Sequence, residues 1–319
     1  MSVESSQSVK WGILSGASAY LLWGTLPIYW KWLEHIPPEE VLAHRIIWSF
    51  ILLLAVLFLL GKSPSFIKEC QSIIQQPKAM LGIFLAAIFI TANWFTYIWA
   101  VTNNHILEAS LGYYINPLVS VLMGVFFLKE QLSKMQWLSV GLAGTAVLLL
   151  TVSFGSFPSV AIVLAFSFAI YGLLKKIVRV GALTGLAIET LIVAPFAIGY
   201  LIIQHSMSLS MFYFSDQRTF WLLIGAGAAT ATPLLLFGAG AKRIPLSLMG
   251  FLQYIAPTIM LFLGIFLYRE TFSSIHFVAF TIIWVALLLF TISRYQISKK
   301  LKRQALEIAS KNTAIKAEV

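Results

Sequence analysis

Apolar residues occupy ten long runs of this chain, and short polar connections separate the runs. Each run holds about 20 residues, which is the length of an α-helix that crosses a hydrocarbon layer roughly 30 Å thick. The runs are continuous rather than alternating, which favours helices over the strands of a membrane barrel. The sequence therefore predicts an all-α polytopic membrane protein with ten transmembrane helices, over residues 10–33, 41–61, 78–103, 105–128, 134–153, 158–175, 182–204, 219–241, 245–268 and 274–295.

The composition supports this prediction. Of the 319 residues, 59% are hydrophobic and only 11% are charged, whereas about a quarter of the residues in a soluble domain are charged. The single cysteine, Cys70, lies in a short polar connection, so the chain can form neither an internal disulfide nor a cysteine-based metal site. We expect no metal and no cofactor.

The distribution of basic residues predicts the orientation of the chain. If the N-terminus is cytoplasmic, eighteen of the 22 Lys and Arg residues fall on the cytoplasmic side, and this excess is typical of membrane proteins. It accounts for the net charge of +10 without a nucleic-acid partner. With ten spans both termini are cytoplasmic, and residues 297–319 form a basic tail that could contact anionic membrane lipid. Four basic residues fall on the other side: Lys31, Arg45, Arg218 and Arg269.

The chain contains an internal repeat. Two stretches match at a spacing of 140 residues: YYINPLVSVLMGVFFLKEQLS (113–133) and QYIAPTIMLFLGIFLYRETFS (253–273). We interpret the chain as two repeats of five helices, residues 1–153 and 154–296. Because five is odd, the second repeat enters the membrane from the opposite face, and Lys129-Glu130 and Arg269-Glu270 fall on opposite sides. Inverted repeats are typical of alternating-access transporters, although a duplicated scaffold without transport function would show the same pattern.

Two stretches of the chain resemble a known family. They are GASAYLLWGTLPIYWKWLEHIPPEEVLAHRIIWS (16–49) and NWFTYIWAVTNNHILEASLGYYINPLVSVLMGVFFLKEQLSKMQW (93–137). Both are similar to the RarD-type permeases of the EamA family, within the drug/metabolite transporter superfamily, and the similarity becomes more generic in the second half. The resemblance implies ten transmembrane helices in two EamA repeats, a bacterial inner-membrane location, and an association with chloramphenicol sensitivity or resistance.

Polar residues at membrane depth normally face the interior of a helix bundle or a water-filled cavity. In the third predicted helix Asn93, Tyr97 and Asn104 share one face, and in the fourth helix Glu108 and Asn116 do the same. The short connection makes these helices antiparallel neighbours, so the two polar faces can converge. We expect a solute cavity with aromatic walls and orienting amides, lined by Trp23, Asn93, Tyr97, Glu108, Tyr114, Asn116, Gln253 and Tyr254.

Alternatives remain open for parts of this segment. Asn103, Asn104 and His105 could cap the fourth helix at the water interface, and the tyrosines could belong to an interfacial aromatic belt. Trp23 lies in an aromatic stripe of the first helix that could be either a cavity wall or a packing seam.

The second predicted helix carries charged residues near its start. Glu40 and His44 are four residues apart and can pair, and Arg45 lies about one turn inside. A guanidinium at that depth needs a carboxylate, and Glu108 is the candidate partner. The Arg45–Glu108 pair could act as an extracellular gate, as a proton-linked switch or as a static brace.

The second half carries one isolated acid and several proline candidates for motion. Glu189, within the seventh predicted helix, could carry a coupling proton or act as a hydrogen-bonded structural acid. Lys175 and Lys176 are predicted to extend to the cytoplasmic interface. Pro117 and Pro257 occupy equivalent positions in the two repeats, and each leaves a carbonyl without its helical partner, which predicts hinges.

These features favour a secondary transporter of a small amphipathic or aromatic solute, with protons as a candidate coupling ion. No GxxxxGK[ST], HExxH or GxSxG motif occurs in the sequence, so we expect neither ATP hydrolysis nor another enzymatic activity. A channel is disfavoured because no filter-like loop is present. The alternatives are an amino-acid or metabolite facilitator or exchanger and, less favoured, a lipid-acting membrane enzyme. Monomer and homodimer are both compatible with the sequence.

Overall fold

The computed structural model describes residues 3–103, 105–155, 157–207, 216–268 and 274–317. Asn104, Arg269, Glu270 and Ser273, which enter the sequence predictions, lie outside these ranges. Every regular element in the described ranges is helical. The α-helices are α1 (Val3–Lys31), α2 (Pro38–Leu59), α3 (Ser63–Ile74), α4 (Pro77–Thr102), α5 (Ile106–Leu128), α6 (Lys134–Phe154), α7 (Ser159–Ile177), α8 (Ala182–Ser206), α9 (Gln217–Arg243), α10 (Leu246–Gln253), α11 (Ile255–Phe262) and α12 (Ser274–Ala317), and a π-helical turn, Leu263–Leu267, follows α11.

Nine helical spans in the described ranges are long and apolar enough to cross a membrane. One of them, Leu246–Leu267, combines α10, α11 and the π-helical turn. Helix α1 has 29 residues and packs along α9 and α11, so it supplies a further membrane-length helix. The short helix α3 does not belong to this set. The all-α polytopic fold predicted from the apolar pattern is confirmed.

Proline and capping residues set several helix ends. Proline occupies the first turn of α2, α3 and α4, where its missing N–H would have no partner within the helix. Ser133 and Gln136 form a capping box at the start of α6: the Gln136 amide donates to Ser133 Oγ at 3.3 Å, and the Ser133 amide donates to Gln136 Oε1 at 2.8 Å. Gly155 ends the same helix with φ 78°, a conformation that glycine adopts without a Cβ clash.

The helix contacts have a two-fold pattern. Helix α1 packs against α9 and α11, and its counterpart in the second half, α7, packs against α4 and α5. Three further contacts join a helix to its own counterpart: α2 to α8, α5 to α10 and α6 to α12. Because each half has five membrane-length helices, α1 and α7 begin at opposite ends of the bundle. This is the packing that two inverted halves require.

We name the two ends of the bundle by their charges. The basic end carries Lys62, Lys129, Lys176 and Arg243, and it is the end at which α1 begins. The opposite end is the one at which α2, α5 and α9 begin. Helices α2 and α9 run side by side from the opposite end, in close contact.

A glycine permits this close contact between α2 and α9. Ser49 Oγ donates to the Gly227 carbonyl at 2.9 Å. A Cβ atom at Gly227 would overlap the backbone of Trp48. The two helix backbones therefore approach each other only because residue 227 has no side chain.

Two carboxylates from the first half hold helix starts of the second half. Glu108 Oε1 accepts a hydrogen bond from Val160 N at 2.6 Å, at the start of α7. Glu130 accepts from the first two amides of α10, at 2.6 and 2.9 Å. The first amides of a helix have no intrahelical partner, and the helix dipole favours a negative charge there. These contacts join the halves at both ends of the bundle.

We predict that Gly227→Ala destabilises the protein by about 1–3 kcal/mol, because the added methyl group forces α2 and α9 apart. The measurement is the midpoint of unfolding of the purified protein in detergent. Gly141→Ala is the matched control, since a Cβ atom at Gly141, also within a membrane-length helix, meets nothing within 4 Å. An unchanged midpoint for Gly227→Ala would contradict the packing described.

We predict that Glu108→Ala lowers the free energy of unfolding by about 1–3 kcal/mol, because it leaves the buried amide of Val160 without an acceptor. The measurement is the midpoint of unfolding in detergent. Glu108→Gln keeps an oxygen acceptor and loses less stability. Glu34→Ala serves as the control, since Glu34 forms an exposed pair with Lys31 and such pairs contribute little. Equal midpoints for the Ala variants at positions 108 and 34 would show that Glu108 does not support α7.

Candidate functional site

A half-buried arginine lies at the centre of the candidate site. Arg45 is the eighth residue of α2, about 10 Å along the helix from the opposite end. Its Nε donates to Thr230 Oγ1 at 2.8 Å. Its guanidinium carbon lies 4.5 Å from the ring centroid of Trp30 and 5.7 Å from that of Trp94.

Two tyrosines from α4 and α5 complete the surroundings of Arg45. The rings of Tyr97 and Tyr113 are 6.2 Å apart, and both side chains are close enough to Arg45 for electrostatic interaction. They lie deep among protein atoms, yet 37% of Tyr97 and 39% of Tyr113 is accessible. Because they lie within electrostatic reach of Arg45 and remain partly accessible, we interpret them as lining a recess between the helices. We call this space the Arg45 chamber; its residues are Trp30, Arg45, Trp94, Tyr97, Tyr113 and Thr230.

The predicted Arg45–Glu108 pair is not formed. Glu108 is 4% exposed, and its carboxylate is occupied by the start of α7 and by His105 Nδ1 at 3.1 Å. Both residues do lie toward the same end of the bundle, but the unpaired amide of Val160 provides a nearer donor for Glu108. Among the described residues Arg45 belongs to no ion pair. Glu108 is therefore a helix cap and not the counter-ion of Arg45.

Glu40 and His44 lie beside the chamber and not in it. Both are buried, and Glu40 is close enough to His44 for electrostatic attraction. Trp48 Nε1 donates to His44 Nδ1 at 3.3 Å. Since His44 and Arg45 are consecutive, their side chains leave α2 about 100° apart. This part of α2 therefore presents its guanidinium to the chamber and its imidazole to another face.

The predicted amide residues have different surroundings. Asn93 Nδ2 donates to the Leu164 carbonyl at 2.9 Å and to Ser167 Oγ at 3.0 Å, so it ties α4 to α7. Asn116 Oδ1 accepts from Ser120 Oγ at 3.4 Å, within α5. Asn93 therefore fixes the position of α4, on which Trp94 and Tyr97 reach the chamber.

Trp23 belongs to an aromatic cluster between the chamber and the basic end. Its ring contacts those of Tyr20, Phe168 and Phe237 at centroid distances of 5.4, 5.7 and 5.8 Å. Tyr171 stacks on Phe237 at 5.9 Å. The cluster joins α1, α7 and α9.

The structure does not bring Tyr114 or Tyr254 to the Arg45 chamber. Tyr254 is buried, and both residues pack in a cluster with α6 and α12. The Tyr114 ring meets Phe280 at 5.3 Å. On a helix, consecutive residues point about 100° apart, so Tyr113, rather than Tyr114, faces Arg45. Gln253 is 5% exposed, and its Oε1 has no hydrogen-bond partner.

Glu189 lies in a closed polar cluster toward the basic end. Lys175 Nζ donates to Glu189 Oε1 at 2.8 Å, and the Tyr171 hydroxyl donates to Glu189 Oε2 at 3.2 Å. The prediction that Lys175 extends to the interface is wrong, since Lys175 is 5% exposed. A buried carboxylate within reach of its ammonium group replaces the solvation that the interface would provide.

Lys176 and Glu130 close the same end of the bundle. Lys176 Nζ donates to the carbonyls of Ala241 and Ile244 at 3.0 and 2.6 Å, where a cation complements the C-terminal end of α9. Glu130 holds the start of α10, as described above. At the basic end, hydrogen bonds therefore join α7 to the end of α9, and Glu130, which follows α5, to the start of α10.

Arg45 and Glu189 occupy equivalent positions in the two halves. Each is the eighth residue of its helix, and α2 and α8 are counterparts. A spacing of 144 residues aligns them, and it also aligns Leu42-Ala43 with Leu186-Ala187. This alignment is the sequence signal that could have identified the pair of sites. The two halves thus place opposite charges at matching depths from opposite ends.

Comparisons with known proteins agree with this architecture. Residues 10–152 match the EamA-like transporter family. The transporter YojE of Bacillus subtilis is 48% identical over 89% of this chain and 95% of its own length, and Protein RarD of Escherichia coli is 43% identical over 89% of this chain and 95% of its own length. A crystal structure with 20% sequence identity superposes with a TM-score of 0.66, over 88% of this chain and 97% of the other.

The distant crystal structure shows the fold alone, whereas the two relatives show the family. Both relatives align with nearly nine-tenths of this chain. Because the family consists of transporters, the expectation that the chain is not an enzyme is confirmed. The chain belongs to the EamA-like transporter family, as a RarD-type permease.

Proposed function

We propose that this permease is a secondary transporter that exports a small amphipathic or aromatic solute by alternating access. The Arg45 chamber is the observation that carries the proposal, because aromatic side chains, two of them partly accessible, surround a guanidinium at membrane depth. Aromatic walls provide apolar contact area, and a few polar groups fix the orientation of a solute. A chloramphenicol-like drug is one solute of this class.

In this mechanism the two halves exchange conformations. The contacts around Glu189 would open the basic end while α2, α4 and α9 close around Arg45, because α2 and α8 are counterparts in the inverted halves. Residues 1–153 and 154–296 are the two halves that we propose to move. A solute bound in the chamber would then face the other side of the membrane.

We propose Pro117 and Pro257 as hinges of this motion. The span Leu246–Leu267 is interrupted at Tyr254, between α10 and α11. Pro257 has no N–H to donate to the carbonyl of Gln253. Helix α5 continues through Pro117 in the present conformation. When the halves exchange conformations, α5 would be interrupted and the span Leu246–Leu267 would become continuous.

The sidedness of the proposal follows from the charges. We propose that the basic end and both termini are cytoplasmic, in the inner membrane of a bacterium, since basic residues accumulate on the cytoplasmic side of membrane proteins. Protons would be the coupling ion. A proton on Glu189 would weaken its attraction for Lys175 and so favour opening of the basic end.

Accessibility of single cysteines tests alternating access and sidedness together. Cys70→Ser removes the only cysteine, and Tyr97→Cys then reports on the chamber while Ala86→Cys reports on the narrow cleft beside Glu189. A membrane-impermeant maleimide should label position 97 from the non-cytoplasmic face and leave position 86, which is 2% exposed, unlabelled. A transported solute should lower labelling at 97 and raise it at 86 from the cytoplasmic face.

Two results of this experiment would contradict the proposal. If both positions reacted fully at the same time, the chain would form an open pore. If position 97 reacted only from the cytoplasmic face, the proposed orientation would be wrong. A cysteine in place of exposed Ser65, in the same background, controls for reagent access to the basic end.

We predict that Lys175→Met and Glu189→Leu each destabilise the protein, by about 3–5 kcal/mol, because each leaves a buried charge without its partner. The double variant should regain most of the loss, since it leaves no unpaired charge. The unfolding midpoints of the four proteins in detergent measure this coupling. The exposed pair Lys31–Glu34 provides the control cycle, in which we expect a much smaller coupling because solvent screens the pair. Additive losses at positions 175 and 189 would contradict a buried ion pair.

A further inference from the structure

The terminal nitrogens of Arg45 have no acceptor in the described part of the protein. A guanidinium group has five N–H donors. Only the Nε donor is used, by Thr230, and the two terminal nitrogens, with four N–H groups, are neither hydrogen-bonded nor sealed from solvent. A full positive charge at membrane depth normally has a partner, because an uncompensated charge there is costly.

The nearest acids of the neighbouring helices do not compensate Arg45. Glu108, on α5, is bonded to the start of α7 and to His105. Glu40, on α2 itself, interacts with His44. Glu189 lies toward the other end and is paired with Lys175. Among the residues that the structure describes, the chamber therefore contains one positive charge and no balancing carboxylate.

The surroundings of Arg45 fix the guanidinium and leave its donors available. The hydrogen bond to Thr230 sets the direction of one edge, and the rings of Trp30 and Trp94 approach the cation. Aromatic rings attract a cation but do not accept its N–H groups as a carboxylate does. A planar guanidinium held in this way matches the two oxygens of a carboxylate, which it can bind through two parallel hydrogen bonds.

We propose that the solute is a small organic anion whose carboxylate binds the terminal N–H groups of Arg45 and whose flat apolar body lies against Tyr97 and Tyr113. This inference rests on the proposed function, because it names the solute class of the same chamber. Arg45 thus selects for charge, and the tyrosine rings select for a flat shape. The competing assignment is structural: Arg45 would only join α2 to α9 through Thr230, and a neutral solute would bind equally well.

The test compares aromatic carboxylates with their own carboxamides, which have the same shape without the charge. The panel contains benzoate and benzamide, indole-3-acetate and indole-3-acetamide, and, as further probes, inorganic phosphate and chloramphenicol. Ligand-induced shifts of the melting temperature give the affinities for the purified full-length chain, since a ligand that binds only the folded state stabilises it. We expect at least one carboxylate to bind more than tenfold tighter than its carboxamide and tighter than phosphate.

Variants at position 45 test whether Arg45 causes the preference for carboxylates over carboxamides. Arg45→Gln should remove it, and Arg45→Lys, which keeps the charge but loses the planar fork, should reduce it about tenfold. Arg243→Gln is the matched control, because Arg243 is an exposed arginine at the basic end that bonds the carbonyl of Ala239. The proposal is overturned if no carboxylate binds, if carboxamides, phosphate or chloramphenicol bind as tightly, or if Arg45→Gln keeps the preference.

A measurement on the wild-type protein tests the proposal even if Arg45→Gln does not fold. Phenylglyoxal modifies accessible guanidinium groups, and mass spectrometry of the peptides reports the extent at each arginine. A bound carboxylate should protect Arg45 and leave Arg243 reactive. Modification of Arg45 at the same rate with and without the carboxylate would overturn the proposal.

Flux measurements separate this inference from the proposed function. Vesicles containing the wild-type protein should exchange the bound carboxylate across the membrane. Binding without exchange would contradict the transporter while leaving the anion site in place. Exchange of chloramphenicol that is unchanged in Arg45→Gln would support the transporter and overturn the anion site.

Discussion

The hydrocarbon layer offers no hydrogen-bond partner, so each polar group of a spanning helix has to be satisfied within the protein. The structure follows this constraint closely. Glu108 and Glu130 bond the first amides of helices in the other half, and Asn93 bonds the backbone of α7. Glu189 is matched by Lys175. Among the described residues the terminal donors of Arg45 and the buried Gln253 Oε1 are exceptions, and our proposal assigns a ligand to the donors of Arg45.

The inverted halves explain why one charged position is open while its counterpart is closed. Arg45 and Glu189 occupy the same place in α2 and α8, so an exactly symmetric arrangement would give them equal accessibility. Instead Glu189 is sealed by Lys175, while Arg45 faces an accessible chamber. Two inverted halves in different conformations produce one closed end and one open end, and exchange of those conformations produces the reverse. In the proposed mechanism this asymmetry belongs to one of the two states that the protein would exchange.

The sequence predicted the membrane-length helices, because apolar length and helical spacing depend on local pattern, but it placed Lys175 at the interface whereas the structure buries it. It could not assign neighbours across the bundle. Arg45 and Glu108 lie toward the same end, as predicted, but the start of α7 occupies Glu108. The spacing placed Tyr97 correctly on the interior face, whereas the choice of Tyr114 over Tyr113 depended on the rotation of α5. Thr230 carried no recognisable signal, since only the packing of α9 against α2 brings it to Arg45.

An unpaired guanidinium also gives a physical reason for coupling closure to binding. When the chamber closes, water leaves and the desolvation penalty of Arg45 rises steeply, because charges interact and solvate differently in a low-dielectric interior. The empty protein therefore resists closure. In the proposed mechanism a bound carboxylate would neutralise the charge and accept two hydrogen bonds from the terminal N–H groups, so the loaded protein would close at lower cost. The same interaction that selects the solute would then permit the conformational exchange, and movement of the empty protein would be slow relative to movement of the loaded one.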